Sequence, residues 1–115
     1  MADIPTFSNR DEADTTERAD GVVVRRLVQG NNLDLTEYTV SRGFTTGDSD
    51  SELSDKAGYV VQGRVEISTP DGSFVVEAGG AYAIPRGVPH QFTVLADSVM
   101  VQVRHPPTWP SPART

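Results

Sequence analysis

The sequence predicts an all-β domain: six to eight short strands forming a small sandwich or barrel, with short helices or none. Three observations lead there. Apolar runs rich in β-branched and aromatic residues recur along the chain, each of strand length and each bounded by Gly, Asp, Asn or Pro. No segment sustains the 3.6-residue apolar repeat of an amphipathic helix. A length of 115 residues suits one domain around one modest core.

Residues 1–21 form an acidic lead-in. The first twenty carry six acids against two arginines, so the segment is expected to be partly flexible or to add an edge strand, with Ile4, Pro5 and Phe7 docking on a sheet edge. The barrel itself is expected over residues 22–104. GVVVRRLVQG and NLDLTEYTVSRG supply its first two strands. The polar stretch 45–56 reads equally as a loop or, at SELSDK, as a helical turn. AGYVVQGRVEIS and GSFVVEAGG flank TPDG at 69–72, where Pro presets one turn angle and Gly accepts a positive φ, so a hairpin is expected. QFTVLAD and SVMVQVRH complete the set. The tail, residues 105–115, holds four prolines and cannot continue a sheet interior. It is expected to strap the barrel with Trp109 as a packed anchor; a proline-rich partner motif is the alternative.

Charge and composition exclude several functions. A net charge of −6 opposes attraction to nucleic acid or an anionic membrane. Arg25 and Arg26, the adjacent basic pair, point to opposite faces of a strand. No cysteine is present, so disulfides, thiolate ligands and a cysteine nucleophile are excluded, and a reducing cytoplasm is the expected location. No apolar run approaches the ~18 residues of a spanning helix, and the N-terminal stretch lacks the apolar centre of a signal peptide.

The most informative stretch is GGAYAIPRGVPHQF, residues 79–92. Gly79 and Gly80 turn the chain, Ile84 enters the core, and Pro85-Arg86-Gly87 makes a tight turn. Pro89 stiffens the approach to His90, which shares a strand face with Phe92 and Val94. A rigid turn therefore holds a histidine at the barrel mouth.

Here the chain resembles the cupin family. Gly79, Pro85, Gly87 and His90 match its second motif, G-x5-P-x-G-x2-H-x3-N, in register, with Val94 where the final asparagine stands. The end of its first motif, G-x5-H-x-H-x3-4-E-x6-G, is intact as KAGYVVQG, closing on Gly63. The resemblance covers residues 22–104 and implies a jelly-roll β-barrel with one interior pocket, commonly dimeric. It also implies a metal site whose ligands are mostly missing here. Lys56 stands at the glutamate position. Asp50 and Glu52, or in the other register Ser49 and Ser51, stand at the histidine positions. Of the four ligands only His90 remains.

Lys56 is the sole lysine among ten cationic residues. At an effective dielectric of about 20, an ammonium and a dication 4 Å apart repel by roughly 8 kcal/mol. The expectation is therefore that no metal is bound and that the Lys56 ammonium takes its place, neutralised by Asp50, Glu52 or Asp55. The alternative keeps one divalent ion, Fe, Mn, Ni or Zn, on Asp50, Glu52 and His90. His105, before two prolines, reads as structural.

Two function classes follow. In one, His90 is a general acid or base, Lys56 stabilises a developing enolate or carboxylate, and Asp50 or Glu52 tunes the pair, as in an isomerase, dehydratase or cyclase acting on a carbonyl-bearing metabolite. In the other, the barrel only binds a ligand or an interaction partner. Alternation adds Phe92, Val60, Gln62, Tyr38, Met100 and Gln102 as pocket candidates. Whether Met100, Gln102 and Arg104 or the intervening valines face inward is not decided by the pattern. A small-molecule ligand and a homodimer are the expected partners.

Overall fold

Seven antiparallel strands make up nearly all the regular structure of the computed structural model, which describes residues 4–46 and 54–107. They are β1 (Asp14–Glu17), β2 (Val23–Gln29), β3 (Asp34–Val40), β4 (Asp55–Thr69), β5 (Gly72–Glu77), β6 (Ala81–Ile84) and β7 (Gln91–His105). One turn of 3-10 helix spans Arg10–Glu12. The all-β class read from the sequence is what the chain adopts.

The strands run in the order β1-β2-β3-β7-β4-β5, with β6 also on β4. β4 and β7, 15 residues each, lie antiparallel from Asp55↔His105 to Ser68↔Gln91. Each long strand changes neighbour halfway. β4 pairs with β6 at residues 56–59 and with β5 at residues 64–69. β7 takes β3 along residues 98–104. Its other half is covered by the chain after β3, through Gly43 N–H to Val94 O, Val94 N–H to Phe44 O and Thr46 N–H to Phe92 O.

The change of neighbour coincides with irregularities in β4, where the register on β7 shifts between Val60 and Gln62, again before Arg64, and again before Val65. Bulges of this kind bend a strand and increase its twist. Gly63 makes the bend possible. Its φ is +94°, and a Cβ there would lie 2.4 Å from Asp97 O and 2.7 Å from Ser98 Cα. Val60 N–H reaches Gly80 O and Gly79 N–H returns to Val60 O. The hairpin expected at TPDG is present, with β4 ending at Thr69 and β5 starting at Gly72.

The concave face buries Val22, Val24, Val40, Val60, Val65, Ile67, Ile84, Phe92, Val94 and Met100 as one cluster. Burial of each such side chain favours folding by about 1.5–3 kcal/mol. On β7 the even-numbered set Met100, Gln102 and Arg104 is the inward one: Met100 and Gln102 are buried, and all three line the interior cavity. On β3, Asp34, Thr36, Tyr38 and Val40 form the matching inner row.

Ile4 and Phe7 do not dock as expected; they are 75% and 86% exposed. The lead-in is held instead by polar contacts and by β1 on β2. Arg10 Nε and Nη2 donate to the Glu37 carboxylate at 3.1 and 2.9 Å, and Arg25 Nε stands 3.5 Å from the same group. Glu37 thus lies buried on the convex face under two guanidinium groups. At the other end Ser54 Oγ donates to Pro106 O at 2.7 Å. Trp109 and the stretch 47–53 lie outside the described residues.

Candidate functional site

Cross-strand register assembles the site in rows. Asp34, Arg104, Lys56 and Ile84 lie side by side across β3, β7, β4 and β6. The next row is Thr36, Gln102, Gly58 and Tyr82, and the one beyond is Tyr38, Met100 and Val60. Between these rows and the chain around His90 lies a cavity of about 390 Å³, whose wall includes Tyr38, Lys56, His90, Phe92, Gln102 and Arg104. That volume falls in the range of small-molecule sites.

The turn before β7 sets His90. Val88 N–H reaches Pro85 O at 3.3 Å, and Val88 O lies 2.8 Å from His90 Nδ1. A carbonyl can only accept, so Nδ1 carries the ring proton and Nε2 presents a lone pair. Lys56 Nζ lies 2.9 Å from Nε2. Both side chains are buried, at 6% exposure. Phe92 packs against the pair, its ring centroid 5.6 Å from the imidazole and 5.6 Å from Nζ, within cation–π range.

Asp55, one residue before Lys56, turns the other way. It accepts Arg86 N–H at 2.8 Å and Arg86 Nη2 at 3.1 Å. The Arg86 backbone bond, then its side chain, hold the Asp55 carboxyl below the ordinary carboxylate range, against a smaller opposing effect of burial. Asp55 is therefore not the counter-ion of Lys56; adjacent strand residues point to opposite faces.

Two further polar groups are oriented by their neighbours. Tyr82 Oη donates to Gln102 Oε1 at 2.6 Å, which leaves the Gln102 amide nitrogen as the donor end. Arg104 Nη1 donates to Tyr38 Oη at 3.0 Å. The Tyr82 ring occupies space that any Cβ on Gly58 would take, with 2.2 Å to Cζ. At the cavity opening Arg18 is ion-paired with Asp20 and lies 6.0 Å over the Phe44 ring. Burial opposes the Asp20 charge most strongly, but the Val22 N–H and Arg18 together outweigh it and hold its carboxyl low.

A divalent ion does not fit the described residues. No three His, Cys, Asp or Glu side chains gather among them. The imidazole nitrogen able to ligate, Nε2, has an ammonium on it. Asp50 and Glu52, like Ser49 and Ser51, lie outside the described residues.

Of the pocket candidates, Lys56, His90, Phe92, Tyr38, Met100 and Gln102 line the cavity. Val60 is fully buried in the core and does not line it. Gln62 is exposed, because the register shift after Val60 turns it outward. Tyr82, Arg18 and Asp20 were not among the candidates, and Arg104, left open with Met100 and Gln102, lies on the inward face. Tyr82 was recoverable from its alternation with Ile84. Arg18 and Asp20 carry no sequence signal, since only the return of the chain after β1 brings them to the opening.

The cupin domain family matches residues 37–103. The HTH-type transcriptional regulator PuuR of Escherichia coli (strain K12) is 29% identical over 76 residues, 64% of this chain and 41% of the regulator. The chain thus spans about two-fifths of the length of the curated relatives it matches. Among solved structures, KdgF from Halomonas sp. superposes with a TM-score of 0.79 at 24% identity, covering 88% of this chain and 94% of that one. The polyketide cyclase RemF from Streptomyces resistomycificus superposes with a TM-score of 0.72 at 23% identity, covering 95% and 89%. At these identities the likeness establishes the fold.

Proposed function

Because the chain belongs to the cupin domain family, and its cavity sets the Lys56 ammonium on the His90 imidazole, we propose that it binds a small carbonyl-bearing metabolite there and moves a proton on it. The chemistry is non-redox, of the isomerase, dehydratase or cyclase kind. The observation that carries this reading is the 2.9 Å contact between Lys56 Nζ and His90 Nε2.

Two positive charges at that separation repel by roughly 6 kcal/mol at an effective dielectric of about 20, which favours a single charge on the resting pair; the enolate formed beside it offsets the second charge that the substrate's proton brings. Passing the shared proton from Nζ to Nε2 leaves a neutral amine beside an imidazolium. The amine takes a proton from the carbon next to the substrate carbonyl; the C–H bond breaks, an N–H bond forms, and the electron pair moves to the carbonyl oxygen as an enolate. The imidazolium and the Gln102 amide offset that charge. Returning the proton elsewhere, expelling a β-hydroxyl or attacking a second carbonyl would give the three reaction types.

No metal takes part in this reading. The supporting fact is the occupied Nε2, and metal analysis of protein purified without chelators checks it: substoichiometric metal is expected. Stoichiometric Fe, Mn, Ni or Zn would instead support the site on Asp50, Glu52 and His90. The direct test is proton–deuteron exchange in D2O at the carbon next to the carbonyl of 2-oxopentanoate and pentan-2-one, followed by NMR. Exchange above the buffer rate is expected, abolished by Lys56→Met and lowered about 10²–10⁴-fold by His90→Gln. Exchange at the buffer rate, or exchange indifferent to both variants, refutes the reading.

The similarity to a transcriptional regulator favours a second reading, a ligand-binding module without catalysis, which predicts ligand-induced stabilisation and no exchange. A cytoplasmic location and a homodimer complete the proposal, the latter supported by exposed Phe74 and Val75 on edge strand β5.

A further inference from the structure

The cavity changes in polarity from one end to the other, in a direction that strand register fixes. Lys56 and His90 stand in contact at one end. Each inner row that leaves this end turns apolar. His90 is followed by Phe92 and Val94, and on the far half of β7 the row runs from Gln102 to Met100. On β3, Tyr38 lies opposite Met100 and leads to Val40. Gly43 N–H to Val94 O and Val94 N–H to Phe44 O lay the Phe44 segment beside Val94. Val40, Val94 and Met100 are buried side chains of the core cluster, yet all three line the cavity.

Among the described residues, the polar groups near the apolar end are already engaged by the protein. Thr45 Oγ1 donates to Phe92 O and Thr46 Oγ1 accepts Phe92 N–H, both at 3.0 Å. Asp20 accepts Val22 N–H at 3.2 Å as well as pairing with Arg18. A ligand hydroxyl placed here gives up its bonds to water for few in return, and an unsatisfied buried polar group is penalised. A methylene gains by leaving water, by about fourfold in affinity for each one buried.

We infer that the ligand is a carbonyl compound with a hydrocarbon tail: its carbonyl lies at Lys56 and His90, and its tail runs past Phe92 to Met100, Val94, Val40 and Phe44. Polyhydroxy carbonyl compounds such as ketoses are disfavoured by the same end. This rests on the proposed use of the cavity as the ligand site and narrows its substrate class. Length sets the class further. Lys56 lies across from Arg104, and the four strand residues from there to Met100 span about 13 Å. A tail of several carbons is needed to reach from the carbonyl to the apolar end.

The test compares pentan-2-one, hexan-2-one, heptan-2-one and 1,3,4-trihydroxybutan-2-one by calorimetry on the wild-type chain, Phe44→Ala and Val94→Thr. Affinity is expected to rise about fourfold with each added methylene, and the trihydroxy ketone is expected to bind about tenfold or more weakly than pentan-2-one. Phe44→Ala and Val94→Thr are each expected to cut the rise to about twofold or less per methylene. Should Val94→Thr fail to fold, Phe44→Ala, a change at a partly buried side chain with its fold checked by circular dichroism, carries the test. Absence of ketone binding, equal affinity along the series, preference for the trihydroxy ketone, or a length dependence untouched in the folded variants overturns the inference. Length-dependent binding without proton exchange would sink the catalytic reading and leave the tail site standing. Exchange on pentan-2-one with no dependence of affinity on length would do the reverse.

Discussion

At the residue scale, the site depends on one lysine and one glycine. Lys56 sits at a position where the cupin resemblance implies a carboxylate ligand, and it reaches the histidine from β4; Gly58, two residues on along the same face, leaves room for Tyr82, which orients Gln102. The sequence announces His90 and Lys56 through their motif positions; it does not announce why Gly58 must be glycine. A methyl group there would meet the Tyr82 ring at 2.2 Å. Gly58→Ala is expected to displace Tyr82, release the Gln102 amide from its orientation and cost about 1–3 kcal/mol in stability. Urea denaturation measures the loss, and an unchanged midpoint would contradict the packing described. Gln62 shows the opposite case, where alternation alone misassigns a residue because the bulge after Val60 reverses the face.

At the element scale, the turn carrying His90 is tied to the start of β4. Arg86 supplies both a backbone N–H and a guanidinium to Asp55, so the turn and the lysine strand are fastened one residue from Lys56. The Asp55 carboxyl is held below its ordinary value of 3.8. A depressed carboxylate contributes stability that is present above the unfolded value and is lost as pH falls through the folded one. Melting temperature is therefore expected to decline as pH drops below about 3.8 toward that lower value, and Asp55→Asn is expected to flatten this part of the profile. An identical acid limb in the variant would show that this fastening does not contribute. Proline and glycine made the turn legible in the sequence; its anchor was not, since Asp55 and Arg86 are thirty-one residues apart.

At the scale of the whole molecule, β4 and β7 are the spine. Each pairs with the other along nearly its full length and takes further partners on its second edge. Amide hydrogen exchange should follow this arrangement. Val60, Val65 and Val94, all buried at 2% exposure or less, are expected to be among the slowest, and the fully exposed edge strand β1 among the fastest. Protection of β1 equal to that of β4 would contradict the isolated-chain architecture. The same spine explains the position of the cavity: the inner rows of β3, β7 and β4 converge on the His90 turn, and the register shifts in β4 bend the sheet around it.

The sequence alone determined the all-β class, the TPDG hairpin, the tight turn before His90 and the unusual lysine, because turn chemistry, strand alternation and motif spacing are local properties. The tertiary structure alone decided which face of β7 looks inward, which side chain meets Nε2 of His90, and that Arg104, Tyr38 and Gln102 share one wall. These depend on strand register and on bulges, and register is set by pairing between segments far apart in the chain.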